Sequence, residues 1–258
     1  MSKDARRKLG EMLRDLNLTG VAAAHEEASF RAEKEGWGFE RFLHHLVELE
    51  MEQRRQRRLE RVLKAAKLPA GKTLATLNKD LLPVKVRRQI PTLAEGGFVD
   101  RGENLLAFGL PGRGKTHLVC ALGAELVQRG YTVHFTPAYA LVQRLLAAKQ
   151  GLGLEREMRR LDAFDALIID DIGYVQQTRE ETEVLFTLLA ERYERRTVII
   201  TSNLVFSQWD RIFKDPMTTA AAIDRLIHHC VILELTGPSF RAEAAKARMP
   251  KEAESTTP

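Results

Sequence analysis

Residues Gly109-Leu110-Pro111-Gly112-Arg113-Gly114-Lys115-Thr116 fit the pattern G-x-x-x-x-G-K-[ST]. These residue types at this spacing suit one task, holding a polyphosphate. The glycines let successive backbone N–H groups turn inward around an anion, and a helix beginning after the loop adds the positive end of its dipole. Lys115 would reach the β- and γ-phosphates, and Thr116 would hold Mg²⁺ through its hydroxyl. The candidate nucleotide-binding residues are Gly109, Pro111, Gly112, Arg113, Gly114, Lys115, Thr116 and His117.

ATP chemistry needs a further anchor on the metal side and a group that orients water. The apolar run Leu167-Ile168-Ile169 ends in Asp170 and Asp171. At the carboxyl edge of an α/β sheet, where ligands bind, Asp170 fits the Mg²⁺ role of a Walker B aspartate, with Thr116 as its partner. Asp171 then takes the place of the base that polarises water. Asn203 closes the next apolar run after Thr201 and Ser202. It could hydrogen-bond the γ-phosphate or the attacking water; its alternative role is to cap a turn.

The elements that must position these groups are legible in the pattern. Asn104–Phe108 before the loop is a short apolar strand, and 117–127 after it has apolar residues at helical spacing. Further strands are predicted at 131–135, 165–171, 197–203 and 230–235, with helices at 138–149, 154–161 and 180–195 between them. Near-continuous apolar strands alternating with helices mean an α/β fold, a parallel sheet covered by helices on both faces. The first third reads as three helices, ending near Asn17, Glu35 and Lys67. Phe39, Phe42, Leu43, Leu46 and Val47 give the third one apolar face. The expected organisation is a helical domain at 1–68, a linker at 69–98 interrupted by Pro83 and Pro91, a nucleotide domain at 99–248 and a disordered tail at 249–258.

Charge is unevenly spread. Residues 1–90 carry 20 Lys+Arg against 13 Asp+Glu, and the rest 20 against 22. Arg54, Arg55, Arg57, Arg58 and Arg61 fall within eight residues with only Glu60 among them, so this segment is the candidate contact for nucleic-acid phosphates. No apolar run approaches the ~18 residues of a membrane span, and the charged N-terminus does not fit a secretory signal. Cys120 and Cys230 read as free thiols of a reducing cytoplasm. The pairs His44-His45 and His228-His229 are not expected to bind metal, because adjacent side chains on a helix or strand point apart.

The motifs GLPGRGKT, LIIDDIG, VIITSN and DRLIHH, in this order, resemble those of the AAA+ ATPases of the initiator and helicase-loader group. Within that group the chain is most similar to the IstB family, ATPase helpers encoded beside a transposase in one class of bacterial insertion sequences. The resemblance covers nearly the whole chain. It implies a Mg²⁺-dependent, DNA-stimulated ATPase that forms a homo-oligomer on double-stranded DNA with little sequence preference and works with its transposase. It implies that Arg225 is an arginine finger offered to a neighbouring subunit, and that the helices at 138–161 occupy the place of the initiator group's extra insertion. Two departures stand out. Asp171 replaces the Glu common in related sequences, one methylene shorter. The segment after the last strand is too short for a helical lid, although Arg241 could still supply a cation. A replicative helicase loader is the alternative, but the first third has no cysteine for a zinc module. A small-molecule P-loop kinase would lack the basic helical extension.

Overall fold

The computed structural model describes residues 3–173, 178–205, 208–209, 220, 223–224 and 226–240. The chain divides into two units, Met1–Arg61 and Val62–Pro258.

In the first unit, α1 (Lys3–Asp15), α2 (Thr19–Glu35) and most of α3 (Phe39–Ala66) form a helical layer. Gly36 ends α2 in the left-handed conformation (φ 63°), its N–H bonded to the Ala32 carbonyl. Val21, Ala28 and Leu46 are the core, with Leu13, Leu18 and Phe42 packed against them. The five-residue apolar face expected on α3 is therefore split. Phe42 and Leu46 lie one turn apart on the row that packs inward; Phe39, Leu43 and Val47 lie on the adjacent row and are exposed, as is Met51. From α3, the buried Glu50 carboxylate accepts the N–H groups of Gly20 (2.6 Å) and Val21 (3.2 Å). It thus satisfies amides at the start of α2 that have no partner within their own helix.

The second unit is a five-stranded parallel sheet. Its strands are β1 (Asn104–Phe108), β2 (Val133–Pro137), β3 (Ala166–Ile172), β4 (Thr197–Ser202) and β5 (Cys230–Glu234), in the order β2-β3-β4-β1-β5. Helices α6 (Lys115–Gln128), α7 (Ala138–Gln150), α8 (Leu154–Asp162) and α9 (Arg179–Arg192) alternate with them. Alternate residues of each strand face opposite sides. Leu106, Phe108, Leu167, Ile169, Val198 and Ile200 pack with the apolar residues of α7, α8 and α9. Ile168 faces α6, so closely that a Cβ on Gly123 would lie 2.7 Å from its Cδ1. In this order the loop-bearing strand β1 lies between β4 and β5.

Residues 69–98 differ from the expected linker. A 3₁₀ turn (Lys79–Leu81), α4 (Val84–Glu95) and α5 (Gly97–Asp100) occupy most of the chain from residue 79 to residue 100, within the second unit. Pro83 is the N-cap of α4, and Pro91 lies inside the helix rather than breaking it. An interior proline costs about 3 kcal/mol. Burial of Val86, Ile90, Leu93 and Ala94 on one face offsets that, at ~1.5–3 kcal/mol for each large side chain.

At the strands' amino ends, opposite the loop, Arg192 is 1% exposed. Its guanidinium donates to the carbonyls of Leu161 (2.9 Å), Phe164 (2.9 Å) and Thr197 (3.0 Å). Burial pushes its pKa down to about 10, yet the bonds to three segments keep it in place.

Candidate nucleotide site at the carboxyl edge of the sheet

The loop from Gly109 to Gly114 leaves the carboxyl end of β1 and enters α6. Two of its glycines are required by geometry. Gly109 has φ 154°, and a Cβ there would sit 2.5 Å from the Leu235 carbonyl oxygen. Gly114, with φ 83°, caps α6, and a Cβ on it would press the Phe240 ring at 3.0 Å. Lys115 is buried, its Nζ donating to the carbonyls of Gly109 (2.5 Å) and Leu110 (3.1 Å).

A cavity of about 340 Å³ opens over this loop. Its walls include Pro111, Gly112, Arg113, Gly114, Lys115, Thr116 and His117, together with Asp171 and Asn203 from the ends of β3 and β4. Strand order explains the convergence. Because β4 lies between β1 and β3, Asn203 emerges between the loop and the two acids. Its Oδ1 is buried and has no hydrogen-bond partner among the described residues. An acceptor in that state is costly unless a ligand or water completes it.

The acids at the end of β3 are held in a specific way. The β3–β4 register shifts between Ile169 and Ile172, so β3 carries one more residue than β4 over this stretch. Asp171 takes a left-handed conformation (φ 64°), which Asp tolerates better than most residues. Fully buried Thr201 bridges the pair: its Oγ1 accepts the Asp171 N–H (2.7 Å) and donates to Asp170 Oδ1 (2.7 Å). Asp171 lines the cavity, while Asp170 lies one residue back with one carboxylate oxygen held by Thr201. A Mg²⁺ ion would take oxygen donors, and the side chains of Thr116, Asp170, Asp171 and Asn203 offer them here.

Sequence reasoning missed three participants. Thr201 was noted only as preceding Asn203. Phe240 lines the cavity and donates its backbone N–H to the Gly112 carbonyl at 2.8 Å. Lys72, which falls in the segment expected to be a linker, also lines the cavity. Their common signal was weak because each reaches the loop from a remote point in the chain. His117, by contrast, is engaged with the protein: its Nε2 lies 3.1 Å from Thr76 Oγ1 and 3.2 Å from the Thr73 carbonyl. Arg225 and Arg241 lie outside the described residues.

The basic run on α3 has more acidic partners than the sequence suggested. Arg54 bonds Glu50 (2.7 Å) and Arg55 bonds Glu52 (2.8 Å), because one helical turn returns each to an upstream acid. Arg57 donates to Thr19 Oγ1 at 2.6 Å. Arg58 and Arg61 are exposed and have neither a hydrogen bond nor an ion pair among the described residues. The histidine geometry is also corrected. His228 and His229 lie in a turn rather than a helix or strand, with rings 4.3 Å apart, and both approach the exposed Glu194 (3.5 and 3.8 Å). Cys120 and Cys230 are free, and burial pushes their thiols up to about 12 and about 11. Among the described residues no helix is long and apolar enough to cross a membrane.

The family model for IstB-like ATP-binding proteins matches residues 11–247. An insertion-sequence ATP-binding protein of Sinorhizobium fredii is 43% identical over 239 residues, covering 92% of this chain and 80% of its own. The insertion sequence IS21 ATP-binding protein of Pseudomonas aeruginosa is 38% identical over 234 residues, covering 91% and 88%. Among solved structures, the DnaC helicase loader matches with a TM-score of 0.52 at 18% identity, over 68% of this chain and 99% of that one. The replication initiator DnaA bound to AMPPCP and single-stranded DNA matches with a TM-score of 0.57 at 17% identity, over 73% and 59%. At such identities these two likenesses establish the fold alone. With the family model spanning most of its length and two relatives well above 30% identity, the chain belongs to the family of IstB-like ATP-binding proteins.

Proposed function

We propose that the protein is an ATP-hydrolysing factor that binds double-stranded DNA largely without regard to sequence, assembles there as a homo-oligomer and assists the transposase of its insertion sequence. The observation that carries the ATP reading is the convergence of the glycine loop, Lys115, Asp171 and the unsatisfied Asn203 oxygen on one cavity. In this reading the loop amides and Lys115 hold the phosphates, and Thr116 and Asp170 hold Mg²⁺, which neutralises charge on the β- and γ-phosphates when bound. Asp171 accepts a proton from the attacking water, which Asn203 orients through its side-chain amide. Asp171 is shorter than glutamate, and the left-handed turn at its Cα is what aims the carboxylate. Arg225 is assigned to the neighbouring subunit's γ-phosphate. The insertion-sequence relatives favour a transposase over a replicative helicase as partner.

The test combines two dead variants. Lys115→Ala should lose ATP binding and turnover, and Arg225→Ala should bind ATP but hydrolyse it slowly, since a finger of this type contributes ~10³–10⁵ in rate. Mixed on DNA, they should recover part of the ATPase activity, because some interfaces then join an intact loop to an intact Arg225. No recovery at any ratio, despite co-assembly, would remove the trans arrangement. Unchanged ATP affinity in Lys115→Ala would remove the site itself.

A further inference from the structure

Lys72 has no role in the reading above, although it reaches the wall of the same cavity. It is half-buried, it lines the same cavity as the glycine loop, and among the described residues it makes no hydrogen bond or ion pair. A lysine can bury its stem while its ammonium stays available to an anion. The cavity walls named above contain a single acid, Asp171, which comes from the end of β3.

The approach of Lys72 is fixed by its neighbours. Thr73, the next residue, gives its carbonyl to His117 Nε2, and the Thr76 hydroxyl meets the same nitrogen. Within the turn, Thr76 Oγ1 also donates to the Gly71 carbonyl at 2.6 Å, closing the backbone around Lys72. Further along, Leu77 is buried, and Leu68 lies against α6 beside Gly123. The segment from Leu68 to Leu77 therefore runs beside the P-loop helix, and Lys72 comes to the cavity from the His117 side. Its charge acts on Cys120, in the second turn of α6, which agrees with that placement. Asp171 and Asn203 come from the strand ends instead. In a P-loop the lysine of the motif serves the β- and γ-phosphates, and the backbone N–H groups of the glycine-rich loop serve the α- and β-phosphates.

Resting on the reading of this cavity as an ATP site, we propose that Lys72 is a second phosphate-binding cation. It contacts the α-phosphate, the part of the nucleotide that stays behind on hydrolysis, and the His117–Thr73–Thr76 clasp positions it. A cation there holds ATP and ADP equally. It sets how tightly nucleotide is retained rather than which state is distinguished, a task left to Asp171, Asn203 and Arg225.

Isothermal titration of the full-length protein with MgADP and with Mg-AMPPCP separates the possibilities. Lys72→Gln keeps a polar side chain, one atom shorter, and removes the charge. It should weaken both nucleotides by the same factor, roughly tenfold for a lost charge-assisted contact on a half-buried group. Lys72→Arg should stay within about threefold of wild type. Equal affinities for Lys72→Gln and wild type would overturn the proposal. So would a loss confined to Mg-AMPPCP, which would put Lys72 at the γ-phosphate. Loss in Lys72→Arg as well, together with a lower melting temperature of the nucleotide-free protein, would make Lys72 a purely structural residue. If wild type bound neither nucleotide, the ATP site itself would fall, and the role of Lys72 with it.

Discussion

Replacing Thr201 by valine tests how the acids of β3 are aimed. Valine keeps the volume of threonine but offers neither the acceptor for the Asp171 N–H nor the donor to Asp170, both at 2.7 Å. The position is fully buried, so water does not replace the hydroxyl readily. An amide left without a partner costs about 1–3 kcal/mol. The lost bond to a carboxylate adds about 1 kcal/mol, at the low end because Asp170 is only half-buried. The sum, about 2–4 kcal/mol, corresponds to a fall in melting temperature of roughly 6–12 °C for a domain of this size. Activity should suffer more than binding. The left-handed backbone at Asp171 (φ 64°) stores about 1–3 kcal/mol, and the Thr201 bond contributes to holding it there. Once that bond is lost, the carboxylate moves by a fraction of its own length, and a misplacement of about 1 Å costs ~10² in rate. Steady-state ATPase with DNA present should therefore show kcat reduced about 100-fold. Affinity for Mg-AMPPCP should change less than about fivefold, since the loop amides and Lys115 are untouched. Thr201→Ser, which retains the hydroxyl, should restore most of the rate. A Thr201→Val protein that melts early yet turns over at the wild-type kcat would refute the reasoning.

Two other outcomes follow from the helical unit. Glu50→Gln should destabilise residues 1–61 by about 1–2 kcal/mol, read from the fluorescence of Trp37, the one tryptophan in that unit. Burial opposes ionisation of Glu50, but Arg54 and the amides of Gly20 and Val21 outweigh it and hold the carboxyl below its ordinary 4.5. The folded unit thus binds this proton less readily than the unfolded chain. The contribution is complete above pH 4.5 and is lost as pH falls through the lower folded value, a loss the Gln variant should not show. Arg58→Glu with Arg61→Glu should weaken duplex binding and reduce the log–log salt slope by about 2, one phosphate for each unpaired arginine. Arg55→Glu, which loses a side chain already paired with Glu52, should change the slope less, and equal effects from both would assign the contact to the run as a whole.

Much of this protein is written locally. The glycine loop needs Gly109 and Gly114 for reasons of backbone conformation and close approach, and both lie in one contiguous motif. Strands β1, β3 and β4 declare themselves through the apolar runs 105–108, 166–169 and 198–200, because a strand buried on both faces has few polar residues to interrupt it. Their expected positions at 104–108 and 197–203 agree with the observed Asn104–Phe108 and Thr197–Ser202 to within a residue. α4 was less legible: Pro83 and Pro91 are local signals against a helix, and the packing of Val86, Ile90 and Leu93 that overrides them is not local. The tertiary structure alone set the strand order, and with it the meeting of Asn203 and Asp171 over the loop of β1. It also gave Thr201 both acids to hold, gave Arg54 and Arg55 their carboxylates, and carried Lys72 from an apparent linker to the cavity over the glycine loop. Backbone conformation and hydrophobic period act between near neighbours and leave a mark in the sequence. Which polar groups share a cavity depends on how distant segments pack, and no short-range pattern records that.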